Sequence, residues 1–432
     1  MSLSRSESRQ KEKAQREKRR RKTVRLSIAI AGSIILLTGA GLTLSQTGGL
    51  PDWLSFGKEQ SSSDGLTGSS DDHPQVDANA PSETPGGTPE ETPDASDDEA
   101  AAETPEPSAE PGIVNEAAEQ VSLSFVGDML PGEYISSIMA AKGYDFPYQQ
   151  VQLYLSEPDI MAGNLELPVT TGGTPIENTP YVYKGSPDAL PAMRDAGFDV
   201  MSLANNHALD QGLEGMRDTM KHLREAGIGY MGVGENDKEA FAPLLMEAKG
   251  LKVAYIGVSE VIPFATLKAD SNVPGIAETY DTTRTVAAIR KAEEEADIVV
   301  VMVHWGEDGK DTAEELQRDY ARQYIDAGAD LVVGSHPHVL QGFETYKGKW
   351  IAYSLGNFVY ASNPSGLLGE TGVLDAVCDK EGDCQLKFNP MHVIESQPIP
   401  LEGEPAQKVL DRLTSVSFGV KLDNEGAIVP IQ

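Results

Sequence analysis

The chain of 432 residues exceeds one typical domain and carries 35 Lys and Arg against 67 Asp and Glu, a formal net charge of −32. Net charge governs solubility and partners, not fold, and this balance excludes a nucleic acid or other polyanion spread broadly over the surface. No G-x-S-x-G elbow and no phosphate-cradling P-loop occur, so acyl-serine and nucleoside-triphosphatase chemistry have no support.

Composition divides the chain in order. Residues 1–23 form a basic tail; up to Arg25 there are eleven Lys and Arg against three Glu, about +8. Residues 24–45, VRLSIAIAGSIILLTGAGLTLS, are uncharged apart from Arg25. Their length suffices to cross a hydrocarbon core of about 30 Å. A cleaved signal peptide has a shorter basic end and an apolar core of about 7–15 residues, so an uncleaved transmembrane anchor is expected. The positive-inside rule then puts the tail in the cytoplasm and the remainder outside, a single-pass arrangement at the cell membrane. The tail's charge reads as a topogenic signal and a partner for anionic headgroups, not as a nucleic-acid patch. Residues 46–120, rich in Pro, Ser, Thr, Asp and Glu, bury too little apolar surface to order and form a disordered acidic linker. Residues 121–432 form the extracellular domain, with 23 Lys and Arg against 46 Asp and Glu.

Within that domain apolar strands alternate with helical patterns. Val121–Val126 reads as a strand meeting Gly127-Asp128, and Asp159–Gly163 as one meeting Asn164-Leu165-Glu166. A helix is predicted near 187–196, with Pro187 in its first turn and Gly197 as its stop. The strand Phe198–Leu203 runs into Asn205-Asn206-His207, and a helix follows over 212–226. Ile228–Val233 is a short strand, and 243–258 a hairpin closed at Lys249-Gly250. A charged helix over 281–296 leads to the β-branched strand Asp297–Val303 and then to His304-Trp305-Gly306. A helix over 312–327 precedes the strand Leu331–Val333, after which Gly334-Ser335 is expected to turn sharply and deliver His336 and His338 around Pro337. The alternation predicts an α/β fold with much parallel pairing.

A lone His-x-His is more often a pair of packing histidines than a ligand pair. Here, however, five strand ends carry Asp, Glu, Asn or His, and ligands of α/β sheets bind outside the carboxyl ends of strands. Carboxylate, amide oxygen and imidazole together suit Mn, Zn or Fe better than Ca. Asp128, Glu166, Asn206, His304 and His336 are the candidate metal ligands, and such ions activate water in phosphoester hydrolysis. His207 and His338 are candidate catalytic groups, as a general acid beside the metal or as further ligands. Cys378 and Cys384 flank a turn and are expected to staple a hairpin, the disulfide being permitted outside the cell; two free thiols or a two-cysteine metal site are the alternatives.

Gly127-Asp128, Gly163-Asn164-Leu165-Glu166, Ala204-Asn205-Asn206-His207 with Asp210, Val303-His304-Trp305-Gly306, Gly334-Ser335-His336-Pro337-His338 and Tyr353–Phe358 together resemble the motif series of the CapA/PgsA family. The match runs in order from about Val121 to Tyr360, with the tail to Gln432 fitting less sharply. The resemblance implies a calcineurin-like metallophosphoesterase fold, a β-sandwich core flanked by helices. It also implies a membrane-anchored role in making or exporting poly-γ-glutamate capsule, beside membrane subunits of a synthase complex. Metallophosphoesterase sites begin Asp-x-His, whereas Asp128 is followed by Met129-Leu130, and the second carboxylate here is Glu166 in place of Asp. A metal-dependent hydrolase of phosphoesters or of an envelope polymer, and a non-catalytic binding module, are the alternatives. An acidic domain repels polyglutamate, so contact must be local, through metal or cations such as Lys184, Arg284 or Lys310.

Overall fold

The computed structural model describes residues 119–360 and 363–431. The expected tail (1–23) and anchor (24–45), and the linker up to residue 118, lie outside the described residues. Among the described residues, no helix is long and apolar enough to cross a membrane.

Two mixed sheets dominate. The first begins with β1 (Gln120–Met129), β2 (Ile160–Leu165), β3 (Phe198–Ser202) and β4 (Gly229–Met231), all parallel. A short ribbon of β5 (Val233–Gly234) with β8 (Gly275–Ile276) stands beside them. The second sheet contains β6 (Leu244–Ala248), β7 (Leu251–Ser259), β9 (Ile298–His304), β10 (Leu331–Ser335), β11 (Phe343–Tyr346) and β12 (Lys349–Ala352), in the order β11-β12-β10-β9-β7-β6. Its four central strands are parallel and its two edges antiparallel. The chain then returns to the first sheet as β13 (Asn357–Val359), parallel to the end of β1. An antiparallel half completes it: β14 (Glu370–Asp379), β15 (Cys384–Ile394), β16 (Gln397–Pro400), β17 (Val420–Leu422) and β18 (Ala427–Pro430).

The side-chain period of two explains how the layers stack. Leu123, Phe125 and Val200 of the first sheet share a core with Val253, Tyr255, Ile298 and Val300 of the second. The opposite face of the first sheet, with Val126, Met161 and Met201, packs on Ile135 and Met139 of helix α1 (Glu133–Lys142). After a short α2 (Gln152–Ser156), helices α3 (Leu190–Ala196) and α4 (Gly212–Ala226) cover the same face through Met193, Met216 and Leu223. Past the one-turn α5 (Asp237–Ala240), helices α6 (Thr283–Glu293) and α7 (Glu315–Asp326) pack Ile289, Ala321 and Tyr324 on Val299, Val301 and Val332, the outer face of the second sheet. Helix α8 (Gly403–Ser415) joins the inter-sheet core through Val409, Leu410 and Leu413. The result is a β-sandwich with helices outside both sheets. Strands covered on both faces read as near-continuous apolar runs, which is why IVVVMVH of β9 is wholly buried.

Cys378 and Cys384 face each other across β14 and β15 and are joined by a disulfide, so the hairpin staple is present. One expected turn is displaced. Gly334 and Ser335 continue β10, in register with Val303 and His304 of β9. The chain departs from the strand only at His336, whose φ is 98°. Gly334 serves close packing instead: a Cβ there would overlap the Tyr353 carbonyl. Helix α1 was not legible, because EYISSIMAAK buries only Ile135 and Met139, one turn apart.

Candidate metal centre

The carboxyl ends of β1, β2 and β3 in one sheet and of β9 and β10 in the other converge on a single pocket. Asp128 reaches it because β1 ends between β2 and β13, paired at Asn164 and Asn357. That approach requires Gly127, where a Cβ would overlap the Gly356 carbonyl. Asn164, fully buried at the end of β2, donates to Asp128 Oδ1 at 2.8 Å and is itself held by Asn205, whose amide donates to Asn164 Oδ1 at 3.1 Å. Asn205 therefore positions the floor of the pocket and does not line it.

His304, Glu166, His336 and His338 surround Asp128. His304 Nε2 lies 2.8 Å from Asn206 Oδ1 and 3.4 Å from Glu166 Oε1, while its Nδ1 lies 2.9 Å from Ser335 Oγ. The amide and the hydroxyl orient the ring between them. The His336 backbone N–H donates to Asp128 Oδ2 at 3.2 Å, and its ring stands 4.7 Å from that of His304. His338 Nδ1 is 3.0 Å from Asn357 Oδ1 and 3.2 Å from Asp128 Oδ2; its Nε2 is 3.8 Å from Glu166 Oε1. Both histidines hold a positive φ, 98° and 59°, a conformation uncommon outside glycine that bends the loop so both rings face the carboxylates.

Electrostatics separates these groups. Burial alone would raise Asp128, but the hydrogen bond and charge of His338, with help from His304 and Asn164, hold it down to about 2. Glu166 is pushed up to about 8, by burial first and by the Asp128 charge second. Burial lowers His304 and His336 to about 3, leaving both imidazoles neutral, and of their nitrogens His336 Nδ1 is the one with no partner. His338 goes the other way, to about 10: burial opposes its charge, but Glu166 and Asp128 outweigh it. Asp128, Glu166 and His338 thus share their protons as one set.

Fully buried Glu166 has no hydrogen-bond partner at either carboxylate oxygen, and His336 Nδ1 also has none. Buried polar atoms left in this way cost about 1–3 kcal/mol each, and a bound cation would offset that cost at Glu166. Three ligand groups can be drawn, each with donor atoms within 4.8 Å of one another: Glu166 with His304 and His336, Asp128 with Glu166 and His338, and Asp308 with His336 and His338. The donor set of carboxylates and imidazoles fits a divalent cation.

Of the residues singled out from sequence, Asp128, Glu166, His304, His336 and His338 come together, and Asn206 touches the group through His304. His207 stands beside it, outside all three ligand groups; its Nδ1 lies 2.7 Å from Asp210 Oδ2, which leaves Nε2 as the nitrogen for proton transfer. Asp308 was missed: it is one exposed acid among many, and only its place shortly after the His304 strand end marked it. Tyr183 and Tyr360 were also missed as site residues, although their rings pack on His207 and His338 at 4.7 and 5.5 Å.

Residues 122–362 match the protein family described as "Bacterial capsule synthesis protein PGA_cap". The PGA biosynthesis protein CapA of Bacillus subtilis (strain 168) is 31% identical over 319 residues, covering 73% of this chain and 83% of that protein. The capsule biosynthesis protein CapA of Bacillus anthracis is 32% identical over 295 residues, covering 66% and 70%. Among solved structures, the NAD nucleotidase NadN of Haemophilus influenzae aligns with a TM-score of 0.39 and 15% identity over 71% of this chain and 58% of that one, too distant a likeness to carry an argument. The stretch matched by the family takes in every residue of the pocket, from Asp128 to Asn357, and on that extent the chain belongs to the bacterial capsule synthesis protein family PGA_cap.

Proposed function

We propose that this protein is a membrane-anchored component of poly-γ-glutamate capsule synthesis or export, with its folded domain outside the cell beside membrane subunits of the synthase. Two relatives that bear names of capsule and PGA biosynthesis match most of the domain, and the basic tail and apolar segment before it supply the anchor. The strand-end pocket is its working part, a site for one or two divalent ions of the Mn, Zn or Fe type. The observation that carries the metal reading is Glu166, buried among three histidines with neither oxygen hydrogen-bonded.

Asp128, Glu166, His304, His336 and His338 would hold the metal, with Asn206 at its edge. When bound, such an ion polarises an ester or amide oxygen and lowers the pKa of a ligated water. The chain's own contributions are separate. Asn164 and Asn205 fix Asp128, Ser335 orients His304, and Asp210 holds the Nδ1 proton of His207 so that Nε2 exchanges protons with a ligand in the cleft. That dyad favours a second reading within the same site, metal-dependent hydrolysis of a phosphoester or an envelope polymer.

A strain lacking the gene is expected to lose polymer, and a copy carrying Asp128→Ala with Glu166→Ala is expected not to restore it. Wild-type polymer levels in the deletion strain would refute the capsule role. Assays of the purified protein on phosphodiesters and γ-glutamyl peptides decide the hydrolytic reading; an inactive metal-loaded protein leaves a binding role for the pocket.

A further inference from the structure

The pocket opens into a cleft of about 470 Å³ whose lining joins His207, Asp308 and His338 to Tyr181, Tyr183 and Tyr360. A second cavity of about 450 Å³ shares Leu130, Tyr183 and Tyr360 with it and adds Tyr134 and Lys184. The two cavities adjoin at Leu130, Tyr183 and Tyr360, beside the candidate metal site. Each half alone has the size of a small-molecule site, so the whole accommodates several units of a chain.

The lining is unusual in its chemistry. Among the described residues, Lys184 is the only Lys or Arg along both halves, with His207 and His338 on the same lining, against the carboxylates of Glu133, Asp210 and Asp308. The Tyr181 and Tyr183 rings are nearly parallel, their planes 4° apart with centroids at 6.3 Å, and Tyr360 stacks on His338 at 27°. Asp210 is buried, yet its Oδ1 has no hydrogen-bond partner, and Thr179 Oγ1 on the same wall has none. A polyanion would bring a negative charge with every unit into a groove whose three carboxylates outnumber Lys184 and His338. A purely apolar chain would desolvate the carboxylates of Asp308 and Glu133 without pairing them, which is costly. A pyranose ring satisfies both constraints: its C–H face packs on the negative face of a tyrosine ring, and its hydroxyls donate to carboxylate oxygens.

We propose that this tyrosine-lined groove is a binding subsite for an uncharged, linear glycan of the cell envelope. Sugar rings lie against Tyr181, Tyr183 and Tyr360, a ring hydroxyl donates to the exposed carboxylate of Asp308, and the chain runs on past Tyr134. The inference rests on the reading of the domain as one that handles envelope polymer outside the cell, and names a polymer other than poly-γ-glutamate as the occupant of the groove.

The test is calorimetric titration of the full-length protein with hexamers of β-1,4-linked N-acetylglucosamine and of β-1,4-linked glucose, and in parallel with poly-γ-glutamate. Tyr134 and Tyr181 are 58% and 64% exposed, so a Tyr134→Ala/Tyr181→Ala variant keeps the core intact. Saturable binding of at least one neutral hexamer is expected, insensitive to salt and weakened about tenfold or more in the variant, as for loss of an aromatic anchor. Binding of neither hexamer, binding equal in the variant, or tyrosine-dependent binding of poly-γ-glutamate would each overturn the proposal. None of these results alters the capsule phenotype of the deletion strain, so the two claims fail separately.

Discussion

Glu166 and Glu344 are both buried glutamates, and they could hardly be treated more differently. Glu344, at the edge strand β11, accepts from Arg318 Nε at 3.1 Å, from Arg322 Nη2 at 2.6 Å and from the Tyr353 hydroxyl at 2.8 Å. Its pKa is lowered: burial raises it, but the bonds from Arg322, Tyr353 and Arg318 outweigh that. Glu166, between the sheets' carboxyl ends, has no hydrogen-bond partner at all and is pushed up to about 8. One carboxylate is a structural ion whose partners are side chains. The other stands among Asp128, two neutral imidazoles and His338, with which it shares a proton, a setting open to an exogenous cation.

The comparison is sharpened most by removing the paired acid. Glu344→Ala leaves two guanidinium groups facing a void and is expected to lower unfolding stability by about 3 kcal/mol; denaturant melts giving a loss below ~1 kcal/mol would break the contrast. The pH dependence follows from the sign of the shift. A depressed carboxyl contributes stability fully above its unfolded value of 4.5 and loses it as pH falls through the folded value. The deficit of Glu344→Ala should therefore be constant from pH 8 to about 5 and shrink in acid; a deficit that grows in acid would contradict the assignment.

Glu166→Gln should act in the opposite direction. In metal-free protein it removes a carboxylate that burial disfavours, so thermal unfolding should show a gain on the order of 1 kcal/mol, together with loss of metal-dependent stabilisation. A destabilised metal-free variant would mean that Glu166 has partners within the fold. The smallest effect belongs to Arg217, paired with Glu235 through two bonds of 2.6 Å but largely exposed. Arg217→Ala should cost less than about 1 kcal/mol, and a larger loss would show that exposure does not set the worth of such pairs here.

Much of this was legible in the primary structure. Helix 212–226 was read to the residue, because apolar residues at helical spacing meet Gly227 with φ 74°. The pocket was legible because apolar runs such as Ile298–Val303 end abruptly in residues of one chemical kind. What escaped has physical reasons. The antiparallel half of the first sheet depends on pairings such as Phe125 with Leu374, far apart in sequence, and no local pattern encodes them. Tyr181 and Tyr183 lie in the long loop after β2, where no periodicity marks a residue as lining a cleft. The displaced turn at Gly334-Ser335 shows a further limit: a glycine read as a bend was needed for a close strand contact.

The central claim, that the strand-end pocket is a divalent-metal site built on Glu166, is tested most directly by calorimetric titration of the metal-stripped full-length protein with Mn²⁺ and Zn²⁺, beside its Glu166→Gln variant. Saturable binding with proton release, reflecting displacement of the His338 proton, is predicted for the wild type and its loss for the variant. No binding by the wild type, or equal binding by Glu166→Gln, would contradict the account.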